Sequence, residues 1–178
     1  MRLSDQGKYS TTAQRYSKQI CKKLQDHYTG NIKDAIITDA CAGNGGDTVV
    51  FATNFRHVYA IEKDPNEFRY LSGNISFAKL QNITLINKSF LDTDYVSDII
   101  YFDPPWGGPD YKLIDNIDLY LDEINISKIV FDLVLENDVK LIALKVPHNF
   151  NYDEFQELIP RITKKYTMAK FDLIIVCV

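Results

Sequence analysis

An unbroken apolar run, Ile99-Ile100-Tyr101-Phe102, stops at Asp103 and is followed at once by Pro104 and Pro105. Bounded by turn residues, the run reads as a buried strand. Two consecutive prolines lack N–H groups and fix their own φ, so the turn after the strand is stiff. The end of a strand in an open α/β sheet is the usual place for a ligand crevice. Pro104 and Pro105 keep carbonyls that can accept a hydrogen bond from a ligand, Asp103 adds an anionic acceptor, and Trp106 adds a large flat face. Acceptors beside an aromatic plate suit a planar ring that carries an exocyclic amine. The competing account is a proline-rich turn with a core tryptophan.

The rest of the chain supplies a sheet for this strand. Apolar runs at Ala35–Cys41, His57–Glu62, Ile83–Asn87, Asp98–Phe102 and Val139–Val146 predict strands. Between them, helical spacing is expected over Thr11–His27, from Thr48, from Pro65 to about Lys79, over most of Asp115–Asn137, and over Tyr152–Pro160. Ser10 or Thr11 is the expected N-cap of the first helix, and Asp64 that of the helix opening at Pro65. Lys164–Ala169 and Phe171–Val178 read as a final antiparallel strand pair. Strands alternating with helices predict an α/β fold with a mainly parallel seven-stranded sheet. The expected organisation is a single domain, with residues 1–30 an N-terminal arm and helix packed on a core of residues 31–178. Met1 to Gly7 is polar and expected to be a loose arm.

Composition narrows the partners. A formal net charge of −4 disfavours tight, sequence-independent binding to long nucleic acid, which needs an extended basic surface. Recognition of one nucleotide or a short end is still compatible with it. Cys21, Cys41 and Cys177 are odd in number and without a C-x-x-C pair. They read as reduced thiols of an intracellular protein (cytoplasm or nucleus) with no zinc site. No apolar stretch has the length of a bilayer span or the form of a signal peptide. Lys8, Arg15, Lys18, Lys22 and Lys23 make the first helix locally basic, which suits either a solvated face or contact with a phosphate chain.

Asp39 to Asp47 reads as strand, glycine turn and helix start, where a ligand can approach bare backbone. The spacing Gly43-x-Gly45-Gly46 is neither G-x-G-x-x-G nor a P-loop, so a smaller nucleoside cofactor fits better than a dinucleotide or nucleoside triphosphate. Glu62 ends the next strand, where a carboxylate can hold both hydroxyls of a ribose. A tight structural turn and a solvated glutamate are the plainer alternatives.

Together, Asp39-Ala-Cys-Ala-Gly-Asn-Gly-Gly-Asp47, Glu62-Lys-Asp-Pro65 and Asp103-Pro-Pro-Trp-Gly-Gly-Pro-Asp-Tyr111 resemble the trimethylguanosine synthases. These are RNA cap guanine-N2 methyltransferases with the Rossmann-like class I fold. The resemblance runs from about Gly7 to the C-terminus. It implies S-adenosylmethionine as cofactor, S-adenosylhomocysteine as product, and no metal. The implied acceptor is 7-methylguanosine-capped RNA or a free 7-methylguanosine nucleotide, with no membrane partner. Asp39, Gly43 and Gly45 would line the methionine part of the cofactor, and Glu62 would hold its ribose. Ser89 and Phe90 match a family Asp-Phe pair at the adenine, with Asp92 an alternative acceptor to Ser89. Tyr9-Ser10-x-Thr12 resembles an arm that closes over cofactor and cap. Asn74 matches an asparagine of the cofactor or cap pocket. His148, in Pro147-His148-Asn149, falls where the family has an arginine toward cap phosphates. Trp106, Pro105 and Tyr111 would form the base-binding surface. Asp103, Pro104 and Trp106 would serve catalysis, with Asp103 also at the cofactor. Asp103 departs from the serine usual in the family and matches many adenine and cytosine amine methyltransferases.

The resemblance implies an in-line displacement in which Asp103 and the Pro104 carbonyl orient the N2 lone pair. A cationic 7-methylguanine would stack on Trp106. The rival activities are N6-adenine or N4-cytosine methylation of nucleic acid, a catalytically silent cap-binding domain of the same fold, and, more remotely, a nicotinamide-dependent dehydrogenase. The family's longer helical extension has no counterpart ahead of Tyr9, so the cap pocket is expected to be more open or completed by another chain. A minimal enzyme of this kind would suit a virus or protist.

Overall fold

The computed structural model describes residues 1–94, 97–136 and 138–178, with Pro109 by its backbone alone. In chain order its elements are α1 (Gly7–Ser10), α2 (Gln14–His27), β1 (Ile36–Asp39), α3 (Gly46–Asn54), β2 (His57–Ile61), α4 (Pro65–Ala78), β3 (Ile83–Ile86), β4 (Ile99–Phe102), β5 (Tyr120–Leu121), β6 (Ile124–Asn125), α5 (Ile126–Glu136), β7 (Leu141–Val146), α6 (Tyr152–Leu158), β8 (Ile162–Thr167) and β9 (Asp172–Cys177). Seven strands take the order β3-β2-β1-β4-β7-β9-β8, the expected α/β arrangement. The chain divides into two compact units, Met1–Tyr101 and Phe102–Val178.

In the first unit β1 pairs in parallel with both β2 and β4, and β2 with β3. Ile37, Ile99, Ile100 and Tyr101 are wholly buried, as the continuous apolar runs of a parallel strand covered on both faces require. Of the apolar stripe expected at Ala13, Tyr16, Ile20 and Leu24, the last three are buried, together with Ser17 and Cys21, while Ala13 is exposed; α2 packs on α3. Asp64 caps α4, accepting from the Asn66 and Glu67 amides, with Pro65 in the first turn.

Two expectations for this unit fail. The α2 cap is Ala13, without a side-chain bond; Thr12 instead donates to the buried carboxylate of Asp47 at 2.7 Å. Nor is the N-terminus loose. Ser4 is buried, its amide donates to Asn44 Oδ1 at 2.9 Å and its hydroxyl to Glu67 Oε2 at 2.8 Å. Polar residues read as a solvated arm because their partners lie far away in sequence.

In the second unit β9 pairs antiparallel with β7 and with β8. The final antiparallel pair is as expected, shifted to Ile162–Thr167 and Asp172–Cys177. Helix was expected over most of Asp115–Asn137, but only Ile126–Glu136 forms one; residue 137 lies outside the described residues. Ahead of it β5 and β6 make a two-residue hairpin whose turn residues Asp122 and Glu123 have φ of 47° and 68°. That left-handed turn carries no Asn-Gly or Asp-Gly signal, so nothing local announces it. The helix that does form buries Ile126, Ile129, Val130, Leu133 and Val134, a clean helical face. No disulfide joins the three cysteines. Among the described residues no helix is long and apolar enough to cross a membrane.

Candidate active site

The first unit brings a glycine turn and two carboxylates together at the C-terminal ends of its parallel strands. Asp39 closes β1, opposite Tyr101 on β4. It is almost wholly buried, and its Oδ2 accepts from the Thr48 hydroxyl at 2.6 Å. The chain then turns through Gly43 (φ 50°) and Gly45 (φ 87°), both left-handed. A Cβ on Gly45 would lie 2.8 Å from Leu71 Cδ1, which would have to shift, and the φ of 87° strains any side chain there. A Cβ on Gly43 would meet nothing within 4 Å, so the turn there is open.

Glu62 follows β2 and ties the cradle together. Its Oε2 accepts from the Gly43 amide and its Oε1 from the Asp64 amide, both at 2.8 Å. Each oxygen has a second lone-pair direction, which matches the two hydroxyls of a ribose. Burial pushes the Glu62 pKa up, against the two amide bonds that pull it down. These acceptors therefore fit the hydroxyls of a nucleoside cofactor. Ser89 caps a short 3-10 turn, Phe90–Asp92, by accepting from the Leu91 amide at 3.2 Å, and Phe90 is buried.

Two expected ligand contacts of this unit are committed elsewhere. Asn74 is buried; it accepts from Arg2 N at 2.7 Å and donates to the Arg2 and Asn44 carbonyls at 2.8 and 2.9 Å. It clamps the N-terminal arm to the glycine turn. Thr12 acts similarly through Asp47, which also accepts from the Tyr101 hydroxyl at 3.2 Å. Tyr9 is 93% exposed. Asn44, Glu67 and Ser4, which complete the clamp, were not singled out by sequence. Asn44 sits inside the glycine motif, and that was the available signal.

The second unit holds the proline turn. Asp103 follows β4, and its Oδ2 accepts from Lys145 Nζ at 2.6 Å; the side chains are 18% and 7% exposed. Pro104 is buried and Pro105 exposed. The half-buried Trp106 ring stands edge-to-face on Tyr111, with centroids 5.3 Å apart and planes at 81°. Asn149 donates to the Tyr111 and Ile114 carbonyls at 2.8 and 2.6 Å, which fixes the segment that carries Tyr111. His148 Nδ1 lies 2.9 Å from Asp172 Oδ1. Lys145 was missed, although a lone lysine in the apolar run Leu141–Val146 was legible as an anomaly.

With this geometry described, comparison with known proteins places the chain. A family model described as RNA cap guanine-N2 methyltransferase matches residues 34–176. The chain is 34% identical over 147 residues to an uncharacterized protein of Acanthamoeba polyphaga mimivirus, covering 80% of this chain and 56% of that protein. It is 28% identical over 167 residues to the trimethylguanosine synthase of Schizosaccharomyces pombe, covering 85% of this chain and 65% of that one. It thus spans between about half and two thirds of the length of these relatives. Among solved structures, the precorrin-6y C5,15-methyltransferase of Geobacter metallireducens superposes with a TM-score of 0.67 at 16% identity, covering 100% of this chain and 93% of that one. That likeness concerns the fold.

Proposed function

We propose, from the premise that the chain belongs to the RNA cap guanine-N2 methyltransferase family, that it methylates the exocyclic N2 of a 7-methylguanosine cap with S-adenosylmethionine as donor. The bound cofactor would supply an electrophilic methyl on a sulfonium, and breaking its S–CH3 bond would leave S-adenosylhomocysteine as the neutral thioether. Glu62 would accept from both ribose hydroxyls, Asp39 and the turn at Gly43 and Gly45 would hold the methionine part, and Ser89 and Phe90 would flank the adenine. The Asp103 carboxylate and the Pro104 carbonyl accept the two N2 hydrogens, which favours the rehybridised nitrogen as it attacks. The resulting ammonium-like nitrogen then loses its proton to water.

The observation that carries this reading is the half-buried Trp106 plate, braced by Tyr111 and following an anionic Asp103. A cationic 7-methylguanine stacked on tryptophan gains about 0.5–2 kcal/mol over an uncharged base, so 7-methylation precedes N2 methylation. Pro105 and Tyr111 extend the plate. Tyr9 closes over the cap with the arm, which Asn74 positions, and His148 lies toward the cap phosphates. Capped RNA, an intracellular setting and a further chain completing the cap pocket belong to the same proposal.

A second reading, methylation of an adenine or cytosine amine in nucleic acid, is favoured by Asp103 itself, since an anionic acceptor suits any exocyclic amine. Mass spectrometry after incubation with S-adenosylmethionine and 7-methyl-GTP, GTP, a dinucleotide cap or adenine-containing RNA decides between them. One or two methyl groups gained by 7-methyl-GTP, with GTP accepting them about 2- to 30-fold more slowly, is the expected result. Equal transfer to GTP would remove the stacking argument. Transfer to RNA adenine alone would establish the second reading, and transfer to no acceptor would favour a silent binding domain.

A further inference from the structure

Strand β7 is buried at all six positions, yet it carries Lys145 between Leu144 and Val146. Lys145 Nζ lies 2.6 Å from Asp103 Oδ2, 5.5 Å from the centroid of the Trp106 ring and 5.3 Å from that of Phe171. An ammonium has no acceptor capacity and three donors. In a site this sheltered it needs an anion, and the anion needs it. The 2.6 Å contact is a charge-assisted hydrogen bond, so the orientation of the Asp103 carboxylate is set from β7, a central element with partners along its length. The same cation lies within cation–π range of Trp106. One side chain thus contacts both the acceptor and the stacking plate of the proline turn.

We propose that Lys145 is a positioning residue for the methyl transfer proposed above, on which this assignment rests: it holds Asp103 ionised and aimed, and keeps that carboxylate in register with Trp106. Asp103 and Lys145 then form one functional unit. The competing role is structural, in which Lys145 only neutralises Asp103 and its loss lowers stability without changing turnover by the folded enzyme.

The experiment is a double-mutant cycle on methyl transfer to 7-methyl-GTP, with kcat and KM measured separately and folding checked by circular dichroism. Lys145→Met should lower kcat about 100-fold, the scale of a misaligned reacting group, with KM for the cofactor little changed. Lys145→Arg should recover about tenfold of that loss, because charge is restored in a different shape. Asp103→Asn combined with Lys145→Met should be no more than about threefold worse than Asp103→Asn alone, since residues acting as a unit are not additive. Losses that multiply, or an unchanged kcat in folded Lys145→Met, would overturn the assignment. If Lys145→Met does not fold, the double variant still decides, because it leaves no unpaired buried ion.

Failure of the functional reading is seen separately, in the wild type. If the wild type methylates an adenine or cytosine amine instead, the same cycle is read on that acceptor. If it methylates nothing, the emission of Trp106, the single tryptophan, reports 7-methyl-GTP binding. About tenfold weaker binding by Lys145→Met would then support the link between Lys145 and the plate, and equal binding would overturn it.

Discussion

Glu62 shows what one side chain contributes in this fold. It is an acid whose pKa is raised by burial even though two backbone amides donate to it. An acid with a raised folded pKa stabilises the fold below its ordinary range and loses that contribution as pH climbs through the raised value. Glu62→Gln carries no such ionisation. The melting temperature of Glu62→Gln relative to wild type should therefore be more favourable at about pH 8 than at about pH 4, on either side of the ordinary glutamate value. A difference independent of pH would mean that the buried charge is fully compensated. In the same variant S-adenosylmethionine binding should weaken about tenfold or more by calorimetry, since hydrogen bonds to a charged acceptor are the stronger kind. At the same scale, Cys21 is pushed up to about 12, first by burial and then by the Asp47 carboxylate, and stays a thiol at neutral pH. His148 shows that a residue placed by resemblance can have its partner set by the fold, here Asp172.

At the scale of elements, the glycine turn and the N-terminal arm act together. The two left-handed glycines separate stability from ligand access. Gly45→Ala sets a Cβ 2.8 Å from Leu71 Cδ1 at a φ of 87°. It should lower stability by about 1–3 kcal/mol, or roughly 3–10 °C in melting temperature. Gly43→Ala points its Cβ into open space, so its larger effect should fall on cofactor affinity, read by calorimetry. The reverse pattern would dissociate Gly43 from the ligand side of the turn. Asn44 lies between these glycines and accepts from the Ser4 amide while donating to Glu67. Asn44→Ala leaves buried polar groups unpartnered, for about 1–3 kcal/mol, and should release the segment ahead of α2 to limited proteolysis. An arm equally resistant in that variant would show that other contacts hold it. Neither the arm nor the β5–β6 hairpin was readable locally. Ser4 meets Asn44 forty positions away, and a left-handed Asp122-Glu123 turn has no residue pattern of its own.

For the whole molecule, the cradle at Gly43 and Glu62 and the plate at Trp106 lie in different compact units, and a cofactor that binds only the folded chain must stabilise it. S-adenosylmethionine at about 100 times its dissociation constant should add about 2.7 kcal/mol, a melting shift of roughly 5–10 °C. A nicotinamide dinucleotide at the same concentration should give none; a shift with the dinucleotide instead would return the glycine turn to the rival class. Family membership and fold were both legible before any coordinates. Strand–turn–helix order depends on apolar periodicity and on glycine and proline placement, which are local properties.

From residue order alone came the mainly parallel α/β scaffold, the glycine turn, the glutamate one unit later and the stiff Asp103-Pro104-Pro105-Trp106 junction. Each follows from the conformational limits of a few neighbouring residues. What those groups touch came with folding: Lys145, forty-two positions on, pairs with Asp103, Asn74 grips Arg2 across seventy-two, and Glu62 joins Gly43 to Asp64. Such contacts form where buried charges and amides have no water to turn to. The need for a partner is written in each residue, but the partner's identity is settled by packing.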